Sequence, residues 1–462
     1  MAEVHENLLG TIGNTPIVRL NHVVGQTPHT FYVKLEYFNP GHSVKDRAAL
    51  AIADAAESRG ELGAGYTIIE ATSGNTGLGL AMIGAIRGYP VVLVMPDKVS
   101  EEKRAILRAF GAKVVVCPTE VEPEDARSYY SVAKKLVEMT PNAFYANQYF
   151  NEDNMLVHYE TTAPEIWAQT DGSVDAVVAG VGTGGTLSGV GKYFREHHPK
   201  VKMIGVDPVG SILFDLFHHG EVKSPAHTYK IEGVGEDMLP GNVHFDVMDD
   251  FIKVSDEEAF QMCQDLVHQE GICVGPSSAM AVVGALKWAA RRKKAINIVI
   301  VMPDHGRGYM SKAFNESWLR ENGFLPNPLA KSTIADVIRS RRHRGVMTAH
   351  VEDTVLDVVQ LMKQHGISQV PVASGDQIVG VLDESDLLLP LVDGRLQPTE
   401  PIIHLVRGTV IWAESEDSLQ SLLDQLEEGY VALVRDDRKS LHILTKIDVL
   451  DYLGELLSAE NR

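Results

Sequence analysis

Short apolar runs alternate with longer helical stretches along the first two thirds of the chain. Seven runs between Phe31 and Asp304 are rich in valine and isoleucine, which predicts strands buried in a sheet. They read FYVKLE, YTIIEA, PVVLVMP, KVVVCP, VDAVVAGVG, KMIGVDP and INIVIVMPD. Because strands that alternate with helices build parallel sheets covered on both faces, the sequence predicts an α/β protein.

The pattern changes after Phe324, and we predict a first domain over residues 1–324. The next stretch, GFLPNPLAKST, contains two prolines, so residues 325–340 are predicted to be a linker. A degenerate repeat follows, with one copy at about 341–395 and a second at about 396–462. Two small modules in tandem are expected to pack against each other with pseudo-twofold symmetry.

Each copy of the repeat has the same order of predicted elements. An acidic cap is followed by an amphipathic helix and then by a glycine, which is Gly366 in the first copy and Gly429 in the second. A β-hairpin comes next, and a closing helix begins near Asp386 or Asp448. The repeat is therefore predicted to be a pair of α/β half-modules.

Composition and charge exclude several classes of function. The net charge of −20 disfavours nucleic acid and anionic membrane surfaces as partners, because both attract positive proteins. The three cysteines, Cys117, Cys263 and Cys273, form neither a CxxC pair nor a disulfide framework, so we expect a reducing cytoplasm and no metal site. The chain shows no leader peptide pattern, and no apolar run approaches about 18 residues, which predicts a non-secreted protein outside the membrane.

One lysine has an unusual position in the stretch NPGHSVKDRAALAIADAAESRG. The turn sequence NPG precedes a predicted helix that Ser43 can cap and that stops by Gly60. Lys45 therefore lies in the first helical turn, where the helix dipole disfavours a cation. Either its charge is solvated beside Asp46, or its pKa is lowered so that the uncharged amine can form a Schiff base.

Two glycine-containing turns each connect a predicted strand to a predicted helix. The segment VDAVVAGVGTGGTLSGVGKYFRE contains a loop whose backbone amides and helix dipole would form a phosphate cradle. The segment EATSGNTGLGLA places Ser73, Asn75 and Thr76 at another helix N-terminus, which suits a carboxylate or a phosphate. Either turn alone is also compatible with a role in packing only.

The first of these loops also matches the dinucleotide-binding pattern GxGxxG. Gly180, Gly182 and Gly185 supply the glycines, and Asp207 ends the next predicted strand about 20 residues later. In dinucleotide-binding domains this loop usually follows the first strand, whereas four or five predicted strands precede it here. A dinucleotide site is therefore an alternative that the strand order weakens.

The motifs together carry a family resemblance. SVKDR around Lys45, TSGNTG, GTGGT and the later GPSS resemble, in kind, order and spacing, the fold-type II pyridoxal-phosphate enzymes of the cysteine synthase and cystathionine β-synthase family. The resemblance extends from GNTPIVRL at Gly13 to about Phe324. Stretches such as NQYFNEDNMLVHYETTAPEI and IEGVGEDMLP look more like the cystathionine β-synthase branch, and the C-terminal repeat resembles its tandem Bateman module of two CBS repeats.

The resemblance implies a fold with two parallel-sheet subdomains and a role for each matching residue. Lys45 would hold pyridoxal 5'-phosphate covalently and act as the base at the substrate Cα. Asn75 would contact the ring hydroxyl of the cofactor, and Ser277 its pyridine nitrogen. The cofactor phosphate would lie on Gly182, Thr183, Gly184, Gly185 and Thr186. The substrate would be bound by Thr72, Ser73, Thr76, Gln148, Gly233 and Glu236.

The implied reaction is a β-replacement that joins L-serine and L-homocysteine to give L-cystathionine and water. Cysteine in place of serine would release hydrogen sulfide. Because the neutral Ser277 cannot keep the pyridine nitrogen protonated, β-elimination is favoured over other carbanion chemistry. A cysteine synthase acting on O-acetylserine and sulfide, and a serine or threonine dehydratase, are the alternative enzymes. An adenosyl-sensing regulatory protein with a vestigial catalytic domain is the alternative of another class.

The chain departs from the animal members of the family in two respects. Glu236 stands where those enzymes have a tyrosine, which leaves its role open. The catalytic pattern begins by Gly13, without their haem-bearing N-terminal extension, and their CxxC motif is missing as well, so no haem is expected. Since relatives pair through their catalytic domains, the resemblance implies at least a homodimer.

The resemblance also implies an effector site in the repeat. Bateman modules hold adenosyl ligands with a Thr/Ser-x-x-Asp signature, whose acid binds both ribose hydroxyls. The second copy has this signature as Thr445 and Asp448, whereas the first has Asp383 and Asp386, which should repel a nucleotide phosphate. We therefore expect one site, for S-adenosylmethionine or an adenine nucleotide, and a role of the module in dimerisation only is the alternative.

Overall fold

The structure is a computed structural model of the chain, which divides into two compact units, Met1–Leu325 and Pro326–Arg462. Among the described residues, no helix combines the length and the apolar character needed to cross a membrane. The described residues are 4–97, 99–119, 121, 125–325, 329, 332–341, 346–375, 377–406, 410–427, 430–435 and 440–460.

The described part of the first unit contains ten strands and eleven α-helices. The strands are β1 (Ile17–Arg19), β2 (Thr30–Leu35), β3 (Thr67–Ala71), β4 (Val91–Pro96), β5 (Lys113–Cys117), β6 (Ala143–Tyr145), β7 (Ala176–Gly180), β8 (Lys202–Pro208), β9 (Asp250–Val254) and β10 (Asn297–Met302). The helices are α1 (Lys45–Ser58), α2 (Asn75–Arg87), α3 (Glu101–Ala109), α4 (Tyr129–Met139), α5 (Asp153–Val157), α6 (Ala163–Gln169), α7 (Gly185–His197), α8 (Leu213–His219), α9 (Asp256–Asp265), α10 (Pro276–Ala289) and α11 (Glu316–Glu321).

These strands form two sheets. The larger has the order β1-β2-β10-β7-β8-β9, and the smaller has the order β5-β4-β3-β6. Every neighbouring pair is parallel except β1 and β2. Six of the seven valine- and isoleucine-rich runs become interior strands whose side chains are largely buried on both faces, whereas KVVVCP forms the edge strand β5, which is only partly buried. The predicted α/β fold with two parallel-sheet subdomains is confirmed.

Helices α1 and α2 approach each other closely, which brings their N-termini to the same region. A Cβ added at Gly79 of α2 would lie only 2.7 Å from the Cβ of Ala49 in α1. Ala49, Ile52 and Ala53 of α1 belong to the apolar core that also contains Leu80 of α2. The small side chains in this contact therefore fix the relative position of the two helices that begin at Lys45 and Asn75.

Each repeat of the second unit forms its own three-stranded sheet. The strands have the orders β11-β12-β13 and β14-β15-β16, and in both sheets the first pair is parallel and the second antiparallel. The strands are β11 (Ala349–His350), β12 (Gln369–Ser374), β13 (Gln377–Asp383), β14 (Ile411–Glu414), β15 (Ala432–Arg435) and β16 (Leu441–Leu444). The helices are α12 (Ile334–Ser340), α13 (Val355–His365), α14 (Glu384–Val392), α15 (Gln420–Glu427) and α16 (Lys446–Glu460).

Both copies follow the predicted order of helix, hairpin and closing helix. Gly366 ends α13 with a φ of +64°, a left-handed conformation that glycine adopts without strain. The corresponding Gly429 lies outside the described residues.

The structure differs from the prediction in the segment 325–340. Its second half forms α12, which begins with a capping box between Thr333 and Asp336. Ile334 and Val337 are fully buried in a core shared with Leu419 of the second repeat. The spacing of these two apolar residues gives α12 a buried face, so the described part of the segment from Ile334 to Ser340 is a packed helix and not a linker.

Candidate active site

Lys45 is the first residue of α1, in the first turn as predicted. Val44, whose side chain makes no cap bond, occupies the N-cap position, and the Ser43 hydroxyl accepts a hydrogen bond from the Lys45 amide at 3.2 Å. The Val44 amide donates to the Pro303 carbonyl at 2.7 Å. This bond attaches the start of α1 to the segment that follows β10. The N-cap is thus Val44, one residue after Ser43, which the sequence predicts as the cap.

The amine of Lys45 faces the glycine loop. Its Nζ lies 3.5 Å from the Thr183 hydroxyl, although the two residues are 138 positions apart in the sequence. Burial lowers the pKa of this amine, and the negative charges of Glu236 and Asp304 oppose that effect. The sequence led us to expect a pKa lowered by the helix dipole, whereas the structure gives loss of hydration as the main cause.

The glycine loop connects β7 to α7 and leaves no room for side chains at its glycine positions. A Cβ added at Gly182 would lie 2.7 Å from the Gly233 carbonyl, and one added at Gly184 would lie 2.6 Å from the Asn242 carbonyl. Gly184 is the N-cap of α7 and has a φ of +87°. Gly185 opens the helix, so backbone amides and the dipole of α7 meet at this loop. The loop has the properties of a phosphate site.

The hydroxyl-rich turn connects β3 to α2. The Thr76 hydroxyl donates to Oε1 of Gln148 at 2.5 Å, which brings the residue from the segment after β6 to the same turn. The Thr72 hydroxyl accepts from the Gly74 amide at 3.0 Å. Thr72, Thr76 and Gln148 are buried, and Ser73 is half-buried. Four of the predicted substrate residues are thus assembled at one helix N-terminus.

Asn75 makes a contact that the sequence did not reveal. Its side-chain amide donates to Oδ2 of Asp304 at 2.8 Å, and the Tyr309 hydroxyl donates to the same oxygen at 2.6 Å. Burial raises the pKa of Asp304, while these two donors oppose the rise. The other carboxylate oxygen, Oδ1, is buried and has no hydrogen-bond partner among the described residues.

The remaining predicted residues lie around this centre. Ser277 is in the first turn of α10 and is 3% exposed. Gly233 is exposed and has a φ of +80°. The Glu236 amide donates to the Ser211 hydroxyl at 3.0 Å, and the Glu236 carbonyl accepts from the Ile212 amide at 3.1 Å. The negative charge of Glu236 opposes the lowering of the Lys45 pKa by burial.

Two buried polar residues behind the glycine loop were missed in the sequence. Asn154 of α5 donates to the Gln148 carbonyl at 2.8 Å and to the Thr183 hydroxyl at 3.1 Å, which joins the two turns. His158, at the start of a π-helical turn that continues α5, lies 3.2 Å from the Thr186 hydroxyl. Burial holds the pKa of His158 well below its usual value, so the ring is neutral. The sequence signal that could have revealed Asn154 and His158 is their spacing of four residues, which places both on one face of a helix.

Glu70, the buried residue next to the hydroxyl-rich turn, gives a testable pH dependence. It accepts hydrogen bonds from the Asn147 amide at 2.6 Å and the Gln148 amide at 3.4 Å, yet burial raises its pKa to about 8. Between pH 4.5 and 8 the folded state holds a proton that the unfolded state has lost, so raising the pH lowers the free energy of unfolding. In Glu70→Gln we expect the free energy of unfolding to change less steeply with pH, by at most about 1.4 kcal/mol per pH unit.

Urea unfolding across that pH window measures the effect. The matched control is Glu102→Gln, which removes an exposed carboxylate from the same unit and should leave the slope unchanged. If the free energy of unfolding changes with pH equally in Glu70→Gln and in the wild type, Glu70 is ionised in the folded protein.

The chain matches known proteins over almost its whole length. The pattern of the family described as pyridoxal-phosphate dependent enzyme matches residues 8–304, and that of the CBS domain matches residues 334–393. Cystathionine β-synthase of Dictyostelium discoideum is 36% identical over 466 residues, covering 97% of this chain and 92% of the relative. Cystathionine β-synthase of Mus musculus is 36% identical over 438 residues, covering 93% and 77%.

The chain belongs to the cystathionine β-synthase family. Solved structures agree with this fold: a hydrogen sulfide-producing enzyme of Fusobacterium nucleatum has a TM-score of 0.61 at 35% identity and covers 66% of this chain and 100% of its own. O-acetylserine sulfhydrylase isoform 3 of Entamoeba histolytica has a TM-score of 0.63 at 34% identity, with coverages of 70% and 97%. The predictions of a pyridoxal-phosphate enzyme and a CBS module are confirmed, and pyridoxal phosphate is favoured over the dinucleotide alternative.

The site of this cystathionine β-synthase family member fits the cofactor. It offers an amine whose pKa is lowered and a glycine loop that has no space for a Cβ. Two buried oxygen atoms, Oδ1 of Asn154 and Oδ1 of Asp304, have no partner among the described residues. Such atoms cost free energy unless a ligand or water satisfies them, and they lie beside the glycine loop and the Asn75 amide.

Proposed function

We propose that this pyridoxal-phosphate enzyme joins L-serine and L-homocysteine to give L-cystathionine and water, and that it releases hydrogen sulfide when cysteine replaces serine. The proposal rests on the assembly of an amine, a phosphate loop and a carboxylate-binding turn at one place. The link is the chain of contacts from Lys45 through Thr183 and Asn154 to Gln148. The relatives are named cystathionine β-synthase, which supports cystathionine as the product.

The cofactor would be bound by Lys45, the glycine loop, Asn75 and Ser277. When bound, pyridoxal phosphate supplies an electron sink for the carbanion that forms at the substrate Cα. Lys45 would hold it covalently, and the amides of the loop from Gly182 to Thr186 would bind its phosphate. Asn75, fixed by its bond to Asp304, would donate to the ring hydroxyl. Ser277 would face the pyridine nitrogen, where a neutral hydroxyl leaves that nitrogen unprotonated.

The substrate carboxylate would bind at the hydroxyl-rich turn. Thr72, Ser73 and Thr76 present hydroxyls at the N-terminus of α2, and the Gln148 amide reaches them from the other side. Neutral donors at a helix N-terminus bind an anion without a competing cation in the site. The carboxylate would therefore be held while its Cα faces Lys45.

Lys45 would carry the protons of the reaction. Its lowered pKa favours the uncharged amine, which can accept the Cα proton and then give it to the departing β-hydroxyl, so that water leaves. The sulfur of homocysteine then bonds to Cβ, and the thiol proton returns to Cα through the same amine. One carbon–oxygen bond at Cβ is thus broken, and one carbon–sulfur bond is formed in its place.

Incubating the cofactor-loaded enzyme with serine and homocysteine, followed by mass spectrometry, tests this function. We expect cystathionine to form in proportion to homocysteine consumed. Rapid turnover of O-acetylserine with sulfide and no cystathionine would favour a cysteine synthase. Pyruvate released from serine in the absence of any thiol would favour a dehydratase.

We also propose an adenosyl effector site, for S-adenosylmethionine, at Thr445 and Asp448 in the second repeat. The Thr445 amide and hydroxyl each donate to Oδ2 of Asp448 at 2.8 Å. Oδ1 of Asp448 pairs with Nε of Arg341 at 2.8 Å, and Arg341 also donates to the Ile443 carbonyl. Because this guanidinium occupies the oxygen that a ribose would need, ligand and Arg341 would compete for Asp448.

Calorimetric titration of the full chain with S-adenosylmethionine tests the competition. We expect Arg341→Ala to tighten binding about fivefold, which corresponds to about 1 kcal/mol for a partly exposed ion pair, and Asp448→Asn to abolish it. The matched control is Asp386→Asn in the first repeat, which should leave binding unchanged. Absence of saturable heat with both the wild type and Arg341→Ala would reject the site.

A further inference from the structure

Each of the two threonines in the glycine loop contacts one buried side chain behind the loop. Nδ2 of Asn154 donates to the Thr183 hydroxyl oxygen at 3.1 Å, and Nε2 of His158 lies 3.2 Å from the Thr186 hydroxyl oxygen. Asn154 is 0% exposed and His158 is 1% exposed, so water does not compete for these contacts. The two side chains are four residues apart and therefore share one face of their helical segment.

Close packing between this segment and α7 fixes the position of both side chains. A Cβ added at Gly185 of α7 would lie 2.7 Å from Cγ of Asn154, and one added at Gly189 would lie 2.9 Å from Cβ of His158. These two glycines are also four residues apart, so two positions of one helix pack against two of the other. Side chains packed this closely have little freedom to turn away from the loop.

The direction of the bond to Thr183 follows from the second partner of Asn154. Its Nδ2 atom also donates to the Gln148 carbonyl at 2.8 Å. Because a carbonyl oxygen only accepts, the nitrogen and not the oxygen of the Asn154 amide lies on this side. Nζ of Lys45, at 3.5 Å from the Thr183 oxygen, would be attached to the cofactor in the loaded enzyme. The Thr183 oxygen thus accepts from Asn154, and its hydroxyl proton stays available.

His158 can donate from only one of its ring nitrogens. Burial holds the pKa of His158 well below its usual value, and a neutral imidazole has one donor and one acceptor nitrogen. Nδ1 lies 2.9 Å from the Thr162 hydroxyl, and Nε2 faces Thr186. With the proton on Nδ1, the Thr186 hydroxyl would donate to the ring and turn its oxygen lone pairs toward a phosphate. An anion in the loop therefore favours the proton on Nε2, with Nδ1 accepting from Thr162.

We propose that Asn154 and His158 are positioning residues of the phosphate site. By donating to the two threonine oxygens of the loop, they direct both hydroxyl protons toward the phosphate of pyridoxal phosphate. Each hydroxyl can then make a charge-assisted hydrogen bond in addition to those from the backbone amides. The inference rests on the proposed role of the glycine loop and explains how its side chains are oriented for an anion.

Titration of the cofactor-free full chain with pyridoxal phosphate and with pyridoxal, followed by absorption, tests this role, because the two compounds differ only in the phosphate. In His158→Phe and in Asn154→Leu we expect the affinity for pyridoxal phosphate to fall about tenfold, as for one charge-assisted hydrogen bond, and the affinity for pyridoxal to stay unchanged. Thr186→Val should show the same loss as His158→Phe. The double variant of His158→Phe with Thr186→Val should lose no more than either alone.

The matched control is His197→Phe, which removes an exposed histidine from α7 and should leave both affinities unchanged. If His158→Phe does not fold, Thr162→Val, which removes the partner of Nδ1, should still weaken binding of the phosphorylated compound alone, by about threefold.

Equal losses for pyridoxal phosphate and pyridoxal, or additive losses in the double variant, would overturn the proposal, because His158 would then act on the fold and not through Thr186. A wild type that binds both compounds equally would instead refute the phosphate role of the loop, on which the proposed function rests. The two failures are therefore distinguishable.

Discussion

Replacing Lys45 by alanine should abolish β-replacement and leave the protein without covalently bound cofactor. The amine lies 3.5 Å from the Thr183 hydroxyl in the glycine loop, and its pKa is lowered by burial. Because the proposed mechanism uses this amine both to attach the cofactor and to move the Cα proton, we expect kcat to fall at least about a thousandfold. Borohydride reduction followed by peptide mass spectrometry measures the attachment independently of turnover.

The control for this variant is Lys113→Ala, which removes an exposed lysine from β5 of the same unit. It should keep both turnover and the reduced cofactor adduct on Lys45. A Lys45→Ala protein that still carries cofactor on another lysine, or that retains more than about a tenth of the wild-type kcat, would contradict the assignment.

In the first unit, six of the seven strands that the sequence predicted lie inside a sheet, and one, β5, lies at an edge. All seven valine- and isoleucine-rich runs form strands. The missed strands, β1, β6 and β9 in the first unit and β11 and β14 in the second, are all at sheet edges. Two of them, β1 and β6, have only three residues. An edge strand has a neighbour on one side only and needs less apolar surface, so a weak hydrophobic pattern is sufficient there; β5 is the edge strand that still has a run of three valines.

In the candidate site, the sequence predicted residues that have a local signature and missed residues whose partners are far away in the chain. The residues in the two turns were found because glycines and hydroxyls at a helix N-terminus have a local signature. Asp304 and Asn154 were not found, since their roles depend on partners far away in the sequence: Asp304 meets Asn75 across 229 positions. A buried polar residue is recognised only once its partner is known.

Arg47 is another buried polar residue of this kind, two positions after Lys45. Its Nε lies 2.8 Å from Oε2 of Glu36 and its Nη1 lies 2.7 Å from Oε1 of Glu165. The side chain of Arg47 is 1% exposed and that of Glu36 is 0% exposed. Lys34 contributes a further ion pair to Glu165 at 2.5 Å. These charges attach the first turns of α1 to β2, to Glu36 directly after it and to α6, and they hold the segment that carries the Lys45 amine.

Arg47→Met should lower the free energy of unfolding by about 3–5 kcal/mol, because the variant keeps the apolar volume but leaves the Glu36 carboxylate buried without its main cation. Urea unfolding measures the loss. The matched control is Arg59→Met just beyond the end of α1, where the arginine is 45% exposed and pairs with Glu61 and Asp153, so we expect about 1 kcal/mol or less. Adding Glu36→Gln to Arg47→Met should recover part of the loss, since it removes the stranded charge. If Arg47→Met costs no more than Arg59→Met, or if Glu36→Gln recovers nothing, the ion pairs do not stabilise the start of α1.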